Sequence, residues 1–260
     1  FSILQNIVAE LGGEHVHIVN LVGPNSDAHM YQPKPSDAVA IAHADLVILN
    51  GLGFEGWMTR LIANSGYKNT VLVASRGVTA RMQGEAVDPH AWQSFANIRI
   101  YIANITQSLI ALKPEYARAF SRRHDAFIHN ITALQNDLRD GFNNIPPGKR
   151  VVVTSHDAFG YLGHEWDIQF LAPVGLSTDT EASAEDIAKV INDIRQRAVK
   201  ALFIENINNP RVLERIASET GVAVGGRLYS DALSDVDGPA STYLDMMRHN
   251  IEAITLALNH

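Results

Sequence analysis

The chain has 260 residues, 46% of them hydrophobic, which allows one large domain or two lobes and excludes a disordered polymer. Its formal net charge is −7, and no tract of Lys or Arg offers itself to nucleic acid or to an anionic membrane. It contains no cysteine, which excludes disulfides, thiolate metal sites and cysteine catalysis together.

The first part alternates strand and helix signals. Val16-His17-Ile18-Val19-Asn20-Leu21-Val22 is rich in β-branched residues and stops at Gly23-Pro24, which predicts a strand and then a loop. Residues 36–42 read as a helix approached through Pro33 and Pro35, with Ser36 as its N-cap. Asp45-Leu46-Val47-Ile48-Leu49-Asn50 is a short apolar run closed by Gly51, the pattern of a strand covered on both faces, and Val71-Leu72-Val73-Ala74 repeats it.

From Pro114 to Phe142 the pattern changes to one long amphipathic helix. Phe120, Phe127, Ile131, Leu134, Leu138 and Phe142 form an apolar stripe, with Arg122, Arg123, Asp137 and Arg139 on the other faces. Asn143-Asn144-Ile145-Pro146-Pro147-Gly148 breaks it. Alternation then resumes with strands at 151–154, 201–204 and 222–224 and helices at 183–198, 210–220 and 242–258. Strands alternating with helices predict an α/β protein with mostly parallel sheets. We expect an N-terminal lobe over 1–113, a connecting helix over 114–142 and a C-terminal lobe over 143–260.

The chain carries 11 histidines. His15, His17, His43, His124, His129, His164, His249 and His260 lie on strand or helix patterns or at the end, where an ordinary polar residue is expected. His29, His90 and His156 instead sit in short polar segments that follow strand or turn signals: Ser26-Asp27-Ala28-His29, Val87-Asp88-Pro89-His90 and Thr154-Ser155-His156-Asp157. Ligands of open parallel sheets bind at the carboxyl ends of strands, where such loops can converge. Neutral imidazole suits borderline transition metals, and the Asp-x-His spacing at the first two places a carboxylate within reach of the second ring nitrogen. A fourth ligand would close the site. Asp231, after Gly225-Gly226-Arg227-Leu228-Tyr229-Ser230, reads equally as a helix cap or an Asx-turn, and Glu205 competes as a ligand, a supporting carboxylate or a loop charge.

These segments carry a resemblance over essentially the full length. Phe1-Ser2-Ile3-Leu4, Asp27-Ala28-His29-Met30-Tyr31-Gln32-Pro33, Ala44-Asp45-Leu46-Val47 with Asn50-Gly51, Asp88-Pro89-His90-Ala91-Trp92, His156-Asp157-Ala158-Phe159-Gly160-Tyr161 and Gly226-Arg227-Leu228-Tyr229-Ser230-Asp231 occur in an order similar to that of the metal-specific solute-binding proteins of ABC importers, cluster A-I. The resemblance implies two α/β lobes joined by a rigid helix, with a metal at their interface. It carries the four ligands onto His29, His90, His156 and Asp231, and leaves Glu205 beside the site. It further implies an exported, periplasmic monomer with its signal peptide removed, which binds Zn²⁺, or alternatively Mn²⁺, and hands it to a membrane permease. Two departures stand out. Residues 74–88 lack the long His-rich loop of many zinc-specific members, and the family's usual first strand does not precede Phe1.

Three imidazoles and a carboxylate could also serve a metal-dependent hydrolase. Against that, no His-Glu-x-x-His helix is present, and four protein ligands leave no open position for substrate. We therefore expect a binding protein and not an enzyme. A surface-adhesin role has no separate support in the sequence.

Overall fold

A computed structural model describes residues 1–143, 145–197 and 199–259. Asn144 in the predicted break, Ala198 at the predicted end of a helix, and His260 lie outside the described residues.

Helix α1 (Ser2–Gly12) buries Ile3, Leu4, Ile7, Val8 and Leu11, a stripe with helical spacing. Residues 16–22 form neither helix nor strand, bend at Leu21 and Val22, and join no ladder, which corrects the predicted strand. β-branched composition favours extended backbone, yet a strand also needs a neighbouring edge at about 4.8 Å. Here a cavity of about 480 Å³ is lined both by this segment and by Leu46, Val47 and Ile48.

Helix α2 (Pro35–Ala42) begins one residue before the predicted cap. Its first turn is held by Asp37, whose carboxylate accepts from Lys34 N at 2.7 Å and from Tyr31 Oη at 2.7 Å. Strand β1 (Leu46–Leu49) pairs in parallel with β2 (Thr70–Val73), and α3 (Met58–Ser65) crosses between them. A short antiparallel hairpin, β3 (Met82–Gln83) and β4 (Ala86–Val87), leads to His90. Helix α4 (Phe95–Leu112) then starts at Ser94, whose hydroxyl accepts from Ala96 N and Asn97 N. Neither α3 nor α4 stands out in the sequence reading.

The long amphipathic segment is helix α5 (Ala117–Arg139), flanked by 3-10 turns at Pro114–Tyr116 and Asp140–Phe142. At about 1.5 Å per residue it spans roughly 35 Å. Its predicted stripe is buried from Phe120 to Phe142 and packs on α1, on α4 and on the last helix of the chain.

The second half carries β5 (Val151–Thr154), α6 (Gly160–Trp166), β6 (Gln169–Leu171), α7 (Ala184–Arg197), β7 (Leu202–Glu205), α8 (Arg211–Thr220), β8 (Val224–Leu228) and α9 (Tyr243–Asn259). Its sheet is parallel throughout in the order β6-β5-β7-β8. Strand β8 lies further along the chain than the expected 222–224, because Gly225 and Gly226 mask a strand in sequence but fit beside Phe203. A Cβ on Gly225 would press on the Phe203 ring and on Ala201.

Two cores result. The smaller lies under the second sheet, among Val153, Val190, Ile194, Leu202, Leu213 and Ile216. The larger runs without interruption from Ile3, Ile7 and Trp92 through Phe120 and Ile131 to Tyr243, Met246 and Ile254, so residues of both halves share it. No helix among the described residues is long and apolar enough to cross a membrane.

Phe120, fully buried in that shared core, should be the sensitive point of the long helix. We expect Phe120→Ala to lower unfolding free energy by about 3–5 kcal/mol in a denaturant titration. A loss below about 1 kcal/mol would show that the stripe is not packed as described.

Candidate metal centre

Each of the four sequence candidates is delivered by a loop, which follows a strand, a hairpin or, for His29, the irregular segment 16–22. His29 lies in the polar loop after residues 16–22. Asp27 Oδ1 accepts from His29 N at 2.8 Å, and Trp57 Nε1 donates to Ala28 O at 2.8 Å, so the loop is held from both sides of the ligand. His90 follows β4. Asp88 Oδ1 accepts from both His90 N at 3.0 Å and His90 Nδ1 at 2.9 Å, and Asn50 Nδ2 donates to Pro89 O at 2.9 Å. His156 follows β5, and its backbone N donates to Glu205 Oε1 at 2.8 Å. Asp231 follows β8. Asn250 brackets Tyr229, accepting from its N at 2.9 Å and donating to its O at 2.7 Å. Trp92 Nε1 and Gln93 Nε2 both donate to Ser230 O, at 2.9 and 2.8 Å, which binds this turn to the first half.

The four side chains meet. One ligand atom from each of His29, His90, His156 and Asp231 lies within 4.8 Å of the other three. Asp231 Oδ2 is 3.2 Å from His29 Nε2 and 3.3 Å from His156 Nε2; Asp231 Oδ1 is 3.6 Å from His90 Nε2; His29 Nε2 and His90 Nε2 are 3.3 Å apart. His90, His156 and Asp231 are fully buried, and His29 is the most accessible of the set. Asp231 is neither a helix cap nor an Asx-turn. Both its oxygens, and Nε2 of His156, are buried without a hydrogen-bond partner. Buried polar atoms are ordinarily satisfied, so a convergent group of orphans fits a bound cation.

The two Asp-x-His segments behave differently. Asp88 holds the His90 ring, whereas Asp27 accepts from the backbone amides of His29 and Met30 and does not meet the His29 ring. Glu205, the competing carboxylate, stands behind His156 instead of among the four, with Oε2 2.6 Å from Nδ1. That contact is close but off-line, since neither atom meets hydrogen-bond geometry. We read it as a charge contact, with Glu205 anchored through the His156 amide. Asp88 at Nδ1 of His90 favours the proton there and turns that ring's Nε2 toward the cluster, and the Glu205 charge beside Nδ1 of His156 acts in the same sense.

The electrostatics follow from this packing. Burial opposes protonation of His156, but the Glu205 and Asp231 charges outweigh it and hold its pKa well above the ordinary value. Burial likewise opposes a charge on His90, and Asp231 with Asp88 outweighs it to raise that pKa. Burial also disfavours ionised Asp231, yet His90 and His156 overcome it and hold the carboxyl well below its usual range. The pocket therefore sets the Asp231 charge at a point that calls for positive charge around it, which protons or a cation can supply.

The other described histidines lie apart. His15 stacks on Tyr116 at 4.0 Å, and His249 Nε2 is 2.9 Å from Arg227 O. Sequence reasoning missed Phe54, whose ring packs edge-on against His29 at 4.6 Å, and Thr178, which reaches Asp27 from the other half. Neither residue sits in a motif that would single it out.

Comparison with known proteins gives the family. The family described as zinc-uptake complex component A, periplasmic, matches residues 1–257. The manganese-binding lipoprotein MntA of Bacillus subtilis is 30% identical, over 99% of this chain and 87% of its own length. The iron-binding protein YfeA of Yersinia pestis is 29% identical, over 98% and 83%. Among solved structures, the periplasmic zinc-binding protein TroA of Treponema pallidum superposes with a TM-score of 0.94 at 30% identity, covering 99% of this chain and 96% of that one. A Mn-bound periplasmic metal-binding protein from Candidatus Liberibacter asiaticus gives 0.90 at 31%, covering 99% and 97%. With this match along the chain and in three dimensions, the protein belongs to the zinc-uptake complex component A family, whose members are metal-binding components of ABC importers and not enzymes.

Proposed function

We propose that the protein captures one divalent transition-metal ion, zinc before manganese, and delivers it to the permease of an ABC importer. His29 and His90 from residues 1–113 and His156 and Asp231 from residues 143–260 are its ligands, with 114–142 as the connecting helix. The observation that carries this reading is the spacing of the four groups. Ions bound at about 2.0–2.1 Å by tetrahedral ligands set those ligands about 3.3 Å apart. Four of the six separations run from 3.2 to 3.6 Å, and all lie within 4.8 Å. One chain supplies all four groups, which supports action as a monomer. The relatives' descriptions as lipoproteins and periplasmic proteins support work outside the cytoplasm, in the periplasm after removal of a signal peptide.

Three imidazoles favour zinc on ligand softness and on the rise of divalent affinity from manganese toward zinc. Manganese is the second reading, supported by the two unpartnered oxygens of Asp231, which permit bidentate coordination, and by relatives named for manganese. Chelator-buffered competition between the two ions, paired with uptake assays, should show zinc bound more tightly and also transported. Uptake of manganese alone would sink the zinc assignment.

Metal stoichiometry tests the ligand set. One ion per chain is expected in the wild type. In His90→Ala and in Asp231→Ala, affinity should fall by more than the roughly 100-fold that loss of an outer partner costs. Retention of wild-type affinity in either variant would remove that residue from the site.

The pH dependence has a definite sign. In the metal-free protein, the raised imidazoles contribute stability that is full below the ordinary value of 6.5 and is lost as pH rises through their folded values. Asp231 contributes above its ordinary 3.8 and loses that contribution as pH falls through its depressed value. Metal needs the imidazoles neutral, so it displaces those protons. The rise in melting temperature on adding zinc should therefore be larger at pH 8 than at pH 6. An equal rise at both would show that His90 and His156 do not bind as neutral ligands.

A further inference from the structure

The three histidines are held in two different ways. Asp88 and Glu205, both buried, stand at Nδ1 of His90 and His156 and fix those rings from behind. The His29 ring has no such support: among the described residues, the carboxylate near it is Asp231 within the cluster itself. Its position depends on its backbone, which Asp27 grips through Oδ1 at His29 N and Met30 N. The second oxygen of Asp27 is engaged elsewhere. Thr178, in the connection between β6 and α7 of the other half, donates its hydroxyl to Asp27 Oδ2 at 2.5 Å.

That connection is registered to the metal centre a second time. Val174 forms an isolated parallel bridge with His156, and Asp157 N donates to Gly175 O at 3.2 Å. Within the short segment 174–178, the second half thus grips the strand end that bears His156 and the loop that bears His29. The least buried of the four groups lies on a loop with no strand or helix of its own; Asn25 ties the start of that loop to Leu233 and Asp235 of the other half, and the Thr178–Asp27 bond is the tie placed nearest His29.

We propose that Thr178 is a positioning residue for His29, and that breaking the Thr178–Asp27 bond is the step that frees His29 and lets the metal leave. The proposal rests on the reading of the four groups as a metal site and adds which of them detaches first. His90 stays in place while the ion is lost, because Asp88 holds its ring at Nδ1, and His156 stays with it through its backbone bond to Glu205 and the charge contact of that carboxylate at Nδ1. Thr178 touches neither the ion nor His29. Its effect passes through the Asp27 carboxylate and falls on release more than on capture.

The test is a stopped-flow release experiment with zinc-loaded protein mixed into excess chelator, on the wild type, Thr178→Val, Thr178→Ser and Asp27→Asn. One zinc per wild-type chain checks the metal reading itself; its absence overturns that reading and the proposal with it. Given loading, release from Thr178→Val should be faster by about tenfold, the scale of one hydrogen bond to a charged group. Association should change by less than about threefold, since interface changes act mostly on dissociation. Thr178→Ser, which keeps the hydroxyl, should release at close to the wild-type rate. Adding Thr178→Val to Asp27→Asn should give less than the product of the two single effects, because both remove the same bond. A Thr178→Val protein that loads one zinc and releases it at the wild-type rate overturns the proposal. So does a Thr178→Ser protein that releases as fast as Thr178→Val.

Discussion

The structure depends on the burial of Asp231. Its carboxylate is withdrawn from water, held ionised, and left without a hydrogen-bond donor that satisfies either oxygen. An uncompensated charge in a protein interior costs several kcal/mol, so positive charge has to be supplied at the same point. The surrounding imidazoles can do this with protons, or they can leave the task to a dication. The same residues therefore describe a metal site and its metal-free substitute, and acid and metal compete for one position. The bonds around Asp231 keep the carboxylate from turning outward: Asn250 on Tyr229, and Trp92 and Gln93 on Ser230.

Convergence is the second constraint. His29 and His90 are 61 residues apart, and comparable lengths separate the later ligands, so the unfolded chain gains little from gathering them. The fold supplies the geometry before the ion arrives. It does so by joining both halves in one apolar core, crossed by α5 and closed by α9. With the halves sharing that core, the freedom that the proposed capture and release require falls to the loops that bear the four groups, of which His29 is the most accessible.

What could be read in the sequence divides along physical lines. The α5 stripe and the strands β1, β2, β5 and β7 were legible because each pattern is local: apolar spacing in the helix, short β-branched runs in the strands. Residues 16–22 carried the same β-branched signal and form no ladder, since pairing depends on a neighbour and not on composition. Strand β8 was displaced by its two glycines. Among site residues, the histidines could be gathered by their loop settings, but Asp231 read as a cap until the resemblance placed it. The Asp-x-His motif promised the same support twice and delivered it once, because whether a carboxylate meets the ring or the backbone depends on the turn around it. Thr178 carried no signal, since its partner lies 151 residues away.

The shared core has a consequence for the order in which the chain is made. Helix α1 packs on α9, Ser2 Oγ accepts from Leu233 N at 2.9 Å, and Asn6 Oδ1 accepts from Tyr243 N at 2.9 Å. The apolar face of α1 is thus covered in part by a helix that follows it by more than two hundred residues, the Ser2–Leu233 bond alone spanning 231. Contacts of such long sequence separation slow folding and leave apolar surface open in the interval. A ribosome that has delivered the first half has delivered a chain still missing the helix that completes its core. Such a nascent chain stays unfinished, and available to chaperones or an export machinery, until α9 emerges.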